Sequence, residues 1–214
     1  MKHLELEHEA DFINLILKKA LLRDLYKFFS DFFYTPKKYL DEKEVWNRAV
    51  ELIESLDIEG ITLIKEMINL LKTSSIEELL VEYTRLFIGS TEYIAPPYAS
   101  YYIEGRLMGD SAVKTLEFYK KAGLDLKEDF TELPDHIAVE FEFMSYLISQ
   151  EVKSLYEKNF EQADKFHKLQ REFLDNFLVT WIPAFCNKIK KGTQHKFYYL
   201  LAEFLQSFIN AQRI

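Results

Sequence analysis

The chain is poor in the residues that break or staple a fold. Its 214 residues include six glycines, five prolines, two tryptophans and one cysteine. Glycine and proline together fall well below their average share of about 12%. That scarcity excludes linker-type disorder and argues against an all-β sandwich or barrel, in which a turn signal recurs every ~8–12 residues. The lone Cys186 excludes an intramolecular disulfide and suits a reducing compartment. A basic cluster is also missing: 27 Lys and Arg face 35 Asp and Glu, a net charge of −8. Nucleic acid is then a poor partner, because phosphate neutralisation supplies most of that affinity, and a basic partner is a better one. The longest apolar run, over 177–186, is interrupted by Thr180 and Pro183 and falls far short of the ~20 residues a bilayer span needs. Residues 1–8 are acidic and carry no apolar core of a secretory signal, so the expected location is the cytoplasm.

What is abundant is aromatic and helical. Eighteen Phe and thirteen Tyr give a chain of this length a core that needs no metal or disulfide. Leu21, Leu22, Leu25, Phe28, Phe29, Phe32 and Phe33 recur at three- and four-residue steps and predict a helix over 11–34, ended by Thr35-Pro36. Further helices are predicted over 43–56 and 61–71. Another opens at Ser75 with Glu78 as a capping box and stops at Gly89. A loop over 90–97 follows, then a short helix from Tyr98 to about Gly109, and one from Asp110 or Ser111 to Gly123. Pro134 suits the first turn of a long helix whose buried stripe runs Ile137, Phe141, Met144, Ile148, Val152 and Leu155. A helix from Phe160 should kink or break at Pro183, and the last runs from His195 to Ala211. The expected fold is all-α, with eight to ten helices in two closely packed lobes. Lobe one spans 1–123, a polar hinge 124–134, and lobe two 135–214 within one domain.

Most catalytic chemistries lack their residues. A ferritin-like di-metal site needs two Glu-x-x-His motifs, and only Glu5-Leu6-Glu7-His8 fits. There is no His-Glu-x-x-His, Cys-x-x-Cys, P-loop or Gly-x-Gly-x-x-Gly. Cys186 sits among Ile182, Phe185 and Ile189 and reads as a structural thiol, while His167 and His195 read as solvated surface residues. His136 and Glu140, four apart on one face, suggest a metal pair but lack a third ligand.

Two segments stand out. One is Glu82-Tyr83-Thr84-Arg85-Leu86-Phe87-Ile88-Gly89, followed by Pro96-Pro97-Tyr98-Ala99-Ser100-Tyr101-Tyr102 and Gly109; the other is Pro134-Asp135-His136-Ile137-Ala138-Val139-Glu140-Phe141-Glu142-Phe143-Met144. Together, at this separation, they resemble the two signatures of the TorD/DmsD/NarJ family of molybdoenzyme maturation chaperones. The resemblance covers residues 82–144. It implies an all-α chaperone without catalytic activity or cofactor, a monomer able to form a lobe-swapped dimer. Its implied partner is the apo catalytic subunit of a molybdoenzyme, whose twin-arginine leader or N-terminal region it holds until cofactor insertion. Some members bind guanine nucleotide weakly, but this sequence has no phosphate-cradling loop. Trp46 and Trp181 lie outside the motifs, where the leader-binding branch would carry some Trp, so the nitrate-reductase-type branch stays open as well.

A twin-arginine leader is a basic patch followed by an apolar stretch, so its receptor needs carboxylates at one end of an aromatic groove. The expected peptide-binding residues are Glu82, Tyr93, Pro97, Tyr98, Ser100, Tyr102, Pro134, Asp135, His136 and Glu140, with Glu92, Glu104 and Glu142 as further acids. Asp135 reads equally as a cap at a helix start, and Tyr83, Phe87, Phe141 and Met144 read as core. A second class of function remains: a helical metal- or nucleotide-binding protein or enzyme built on Asp135, His136 and Glu140.

Overall fold

The computed structural model describes residues 2–42, 44–56, 58–89, 94–125, 127 and 130–213, with side chains from residue 9 onward. Its α-helical segments are α1 (Lys2–Tyr34), α2 (Pro36–Asp41), α3 (Glu44–Leu56), α4 (Ile61–Thr73), α5 (Ile76–Tyr83), α6 (Ala99–Glu104), α7 (Asp110–Lys121), α8 (Ile137–Tyr156), α9 (Phe160–Phe173), α10 (Val179–Gly192) and α11 (Lys196–Ala211). A wide π-helical turn, Leu174–Leu178, joins α9 to α10, so counted as continuous rods the helices among the described residues number ten. A second, Thr84–Ile88, prolongs α5. No strand occurs among the described residues, as the composition implied.

The boundaries that moved did so for local reasons. Pro36 ends α1, as expected, and then starts α2 at its first turn, where its missing N–H costs nothing. Gly105, at φ +74°, stops α6 four residues before Gly109. Gly109 instead lets the Glu104 carboxylate pass close by, because a Cβ there would strike it. Glu104 uses that approach to accept from the Ser111 backbone N–H and hydroxyl, both at 2.9 Å, at the start of α7. Pro134 lies in the turn before α8, which begins only at Ile137. Pro183 neither breaks nor ends its helix: α10 continues to Gly192, and the extra residue of the π turn upstream loosens the ladder before the proline. His195 is no solvated bystander. Its Nδ1 accepts from the Phe197 N–H at 3.1 Å to cap α11, and Nε2 lies 3.2 Å from the Ser74 hydroxyl.

The core is aromatic and continuous. The second half of α1 packs chiefly along α8, α8 packs on α9, and α11 closes on α10 and α4. Phe29 stacks on Phe204 at 5.2 Å, Tyr26 meets Phe141 edge-on at 5.6 Å, and Phe28 meets Trp46 at 5.1 Å. Phe118, Phe143 and Phe173 form a further group joining α7, α8 and α9. Phe28, Phe32, Phe141, Met144, Phe173, Phe204 and Cys186 are all buried. The same buried cluster contains residues from before and after the segment 124–134, since α1 lies against α8. No helix among the described residues is long and apolar enough to cross a membrane.

Phe29→Ala should therefore destabilise the protein by about 3–5 kcal/mol in urea unfolding, the usual cost of emptying a buried aromatic site. Val81→Ser, at an exposed position on α5, should change it by less than about 0.5 kcal/mol. Equal effects at the two sites would mean that the buried face has been misassigned.

Candidate functional site

The two unusual sequence segments meet in space. Residues 97–99 lie antiparallel to 135–137: the Ile137 N–H donates to the Pro97 carbonyl at 2.9 Å, and the Ala99 N–H to the Asp135 carbonyl at 3.0 Å. The side chains then divide the helix starts between them. Asp135 Oδ2 accepts from the Ser100 N–H at 2.8 Å in the first turn of α6, while His136 Nδ1 accepts from the Ala138 N–H at 3.2 Å in the first turn of α8. Each satisfies a donor that a helix N-terminus otherwise leaves unpaired. The Tyr119 hydroxyl donates to the Pro134 carbonyl at 2.7 Å and fixes the turn from the α7 side.

The His136 ring lies 4.9 Å from Tyr98 and 6.3 Å from Tyr34, centroid to centroid. Burial depresses its pKa to about 4 despite the opposing pull of Glu132. The ring is neutral at physiological pH, and its role as acceptor at Nδ1 puts the proton on Nε2.

Beside this clasp runs a groove of about 390 Å³. The end of α1 contributes Phe33 and Tyr34, and α5 with its π turn contributes Leu80, Tyr83, Thr84, Phe87 and Ile88. Pro36, Pro97, Tyr98, Leu107, Glu132 and His136 complete the lining. Of the expected peptide-binding residues, Pro97, Tyr98 and His136 reach this groove. Glu132, whose carboxylate accepts from the Tyr98 hydroxyl at 3.1 Å, is the acid that lines it. It was legible only as one charge in a polar stretch.

The other acids are engaged elsewhere. Glu82 is paired in bidentate fashion with Arg85 at 2.7 and 2.8 Å and accepts from the Thr193 hydroxyl and the Gln194 N–H. Burial would raise its pKa, but those hydrogen bonds and the Arg85 charge outweigh it and hold the carboxyl at about 2. Arg85 also donates to the Gly192 carbonyl at 2.6 Å, so the pair ties α5 to the α10–α11 turn. Glu142 accepts from Lys27 and the Tyr34 hydroxyl on the surface.

Asp135 and Glu140 are fully buried. Glu140 Oε2 accepts from Trp181 Nε1 at 2.9 Å, and Tyr102 stacks on that indole at 5.6 Å. Ser100 is buried and contributes its backbone N–H to the clasp. Pro134 forms the preceding turn. Tyr93 and Glu92 lie outside the described residues, as do the side chains of Glu5 and His8. Asp135, His136 and Glu140 are thus turned to three separate partners, and no group of three His, Cys, Asp or Glu among the described residues is placed to hold a metal.

Residues 54–187 match the family model described as nitrate reductase delta subunit. The chaperone protein TorD of Vibrio parahaemolyticus serotype O3:K6 (strain RIMD 2210633) is 35% identical over 133 residues, which are 61% of this chain and 60% of that protein. The TorD of Photobacterium profundum is 32% identical over 154 residues, 70% of each chain. The match thus spans about three fifths of the length of the Vibrio relative. A crystal structure from Archaeoglobus fulgidus, described as a candidate redox enzyme maturation protein, superposes with a TM-score of 0.55 at 30% identity. That likeness covers 88% of this chain and 93% of that one.

The neutral cap at His136 predicts an acid-sensitive junction. Its folded pKa of about 4 lies below the ordinary 6.5, so its contribution is complete above pH 6.5 and is lost as pH falls from 6.5 towards 4. His136→Asn keeps a good cap without a titrating group, and urea midpoints should decline less for it than for wild type across that window. For Glu82, with a folded pKa of about 2 against 4.5, the loss belongs between pH 4.5 and 2. Glu82→Gln should remove that component, and an unchanged acid profile in either variant would contradict its assignment.

Proposed function

Because the chain belongs to the TorD/DmsD/NarJ family, we propose that it is a cytoplasmic, non-catalytic chaperone for the catalytic subunit of a molybdopterin-dependent oxidoreductase. It holds the subunit's twin-arginine leader or N-terminal region until the cofactor is inserted. The observation that carries this reading is the groove at the junction of the two family signatures, with Tyr83, Phe87, Ile88, Leu107 and Tyr98 along it and Glu132 beside them. An apolar leader segment buries its face on the aromatics, while its arginines are drawn towards Glu132 and the net acidic surface. Tyrosine suits such a surface, since a large ring with a hydroxyl tip gives area at modest entropy cost and tolerates water. Chaperone names among the relatives support the absence of catalysis.

The working form is a monomer. Lobe exchange through 124–134 would re-form the α1–α8 pairing between two copies and give the swapped dimer. The alternative of a metal or nucleotide protein built on Asp135, His136 and Glu140 gains nothing from the geometry, because the three side chains are turned to different partners and form no metal-holding group among the described residues.

Calorimetry of a leader peptide tests the groove. Ile88 is exposed and lines it, whereas Val81 on the same helix is exposed and does not. Ile88→Lys should weaken binding at least tenfold, about 1.4 kcal/mol, with unchanged melting temperature, and Val81→Lys should bind within about twofold of wild type. Glu132→Gln should lose roughly 1 kcal/mol or less, chiefly the salt-dependent part. Wild-type affinity in Ile88→Lys would place the client elsewhere.

A further inference from the structure

A second cavity, of about 500 Å³, lies between α6, α7, the start of α8 and the α9–α10 rod. Its deep wall holds Tyr102, Thr115 and Glu140. Six buried side-chain oxygens lack a hydrogen-bond partner among the described residues, and five of them belong to Ser100, Tyr102, Thr115, Asp135 and Glu140. Buried polar groups are almost always paired, and each one left unpaired costs free energy. Three of these five residues, Tyr102, Thr115 and Glu140, line this cavity, and three such groups on one wall mark a place built to receive something. Glu140 and Thr115 are fully buried and line the cavity, and the Trp181 bond to Oε2 leaves Glu140 Oε1 as the carboxylate's unpartnered atom.

The chemistry of the wall selects the guest. Glu140 on this wall, and Asp135 near it, are buried carboxyl groups, and no Lys, Arg or His is ion-paired to either among the described residues. An anion brings no N–H donor to these oxygens, and an apolar guest would leave every one of them bare. A planar or tetrahedral group of N–H donors with a positive charge answers carboxylate and hydroxyls together. We infer that this cavity is a binding site for an organic cation with a guanidinium or alkylammonium head, seated on Glu140 with Thr115 and Tyr102 as further partners. Lys114 stands exposed at the rim. The inference does not depend on the leader groove: Tyr98 faces that groove, and Tyr102, one turn on, lines this cavity.

Loading carries a proton signature. Burial, with Asp135 adding to it against the Trp181 hydrogen bond, pushes the Glu140 carboxyl well above the ordinary range. The neighbouring titratable groups are Asp135 on the preceding turn, Tyr102 and Glu104 on α6, and Lys114 and Tyr119 on α7; α10 contributes the uncharged Trp181 and Thr180. That shift favours the protonated carboxyl in the empty site, whereas a bound cation favours the carboxylate, so binding should release protons to solvent.

Titration calorimetry of the full chain at pH 7, in two buffers of different ionisation enthalpy, tests this with agmatine, butylamine, neutral butyramide and a blocked Ala-Arg-Ala peptide. Saturable binding of agmatine or butylamine with proton release identifies a free cation. Binding by the peptide alone identifies an arginine side chain of a polypeptide. Either outcome supports the site. Glu140→Gln should abolish proton release and weaken binding at least tenfold, and Thr115→Val should weaken it several-fold, which decides the matter should the first variant misfold. Ile88→Lys, in the leader groove, should bind the cation like wild type, so failure of either reading is recognisable separately. Equal binding of butyramide, no binding by any probe, or wild-type behaviour in both cavity variants would overturn the inference and leave water as the occupant.

Discussion

Two consecutive residues, Asp135 and His136, hold the starts of two helices in one place, and the functional geometry hangs on that double cap. The side chain of the first serves α6 and that of the second serves α8. Backbone bonds between 97–99 and 135–137 lock the pair in register. A helix start is a set of donors that must be satisfied, so two starts satisfied by neighbouring residues cannot drift apart without orphaning both. The groove and the inner cavity lie on either side of this joint. Tyr98 and Tyr102, one turn apart, are aimed into one and the other by the same short helix.

Carboxyl groups of similar type have their pKa values pushed in opposite directions by their surroundings. Glu82, near the surface with Arg85 and two further donors, is held ionised deep into acid. Glu140, with a single indole N–H, is pushed towards its protonated form by burial. One stitches α5 to the α10–α11 turn, and the other keeps an open valence at the head of α8. The distinction comes from how deeply each carboxyl is buried and how many donors reach it, both of which depend on the tertiary structure.

Periodicity therefore made the helices legible and left the site half-legible. The faces carrying Phe28, Phe32, Phe141 and Phe204 could be read because three- and four-residue spacing is itself the signal of burial. The segments 82–89, 96–102 and 134–144 stood out as the residues that carry the family resemblance, and their meeting in space is what the structure adds. What could not be read is which acid faces outward. Glu82 and Arg85 at i and i+3 gave a hint of pairing, but the capture of Glu82 by Thr193 and Gln194 comes from residues over a hundred positions away. Trp181 looked like one more core aromatic, since nothing in its own helix announces a bond to Glu140. His195 was misread because a histidine cap lacks the familiar Ser or Asp signature.

The π-helical turn Thr84–Ile88 has a consequence for how this surface changes over generations. A π turn holds more residues than an α-helical turn, so its side chains fall out of phase with the α-helical rod before it. In that phase Thr84, Phe87 and Ile88 line the groove together while Leu86 stays inside. The wall of the groove is thus a place where chain length and helical phase are already decoupled. A lineage could alter the groove's lining there by losing or regaining a single residue, turning one patch of side chains while the aromatic core beneath keeps its register.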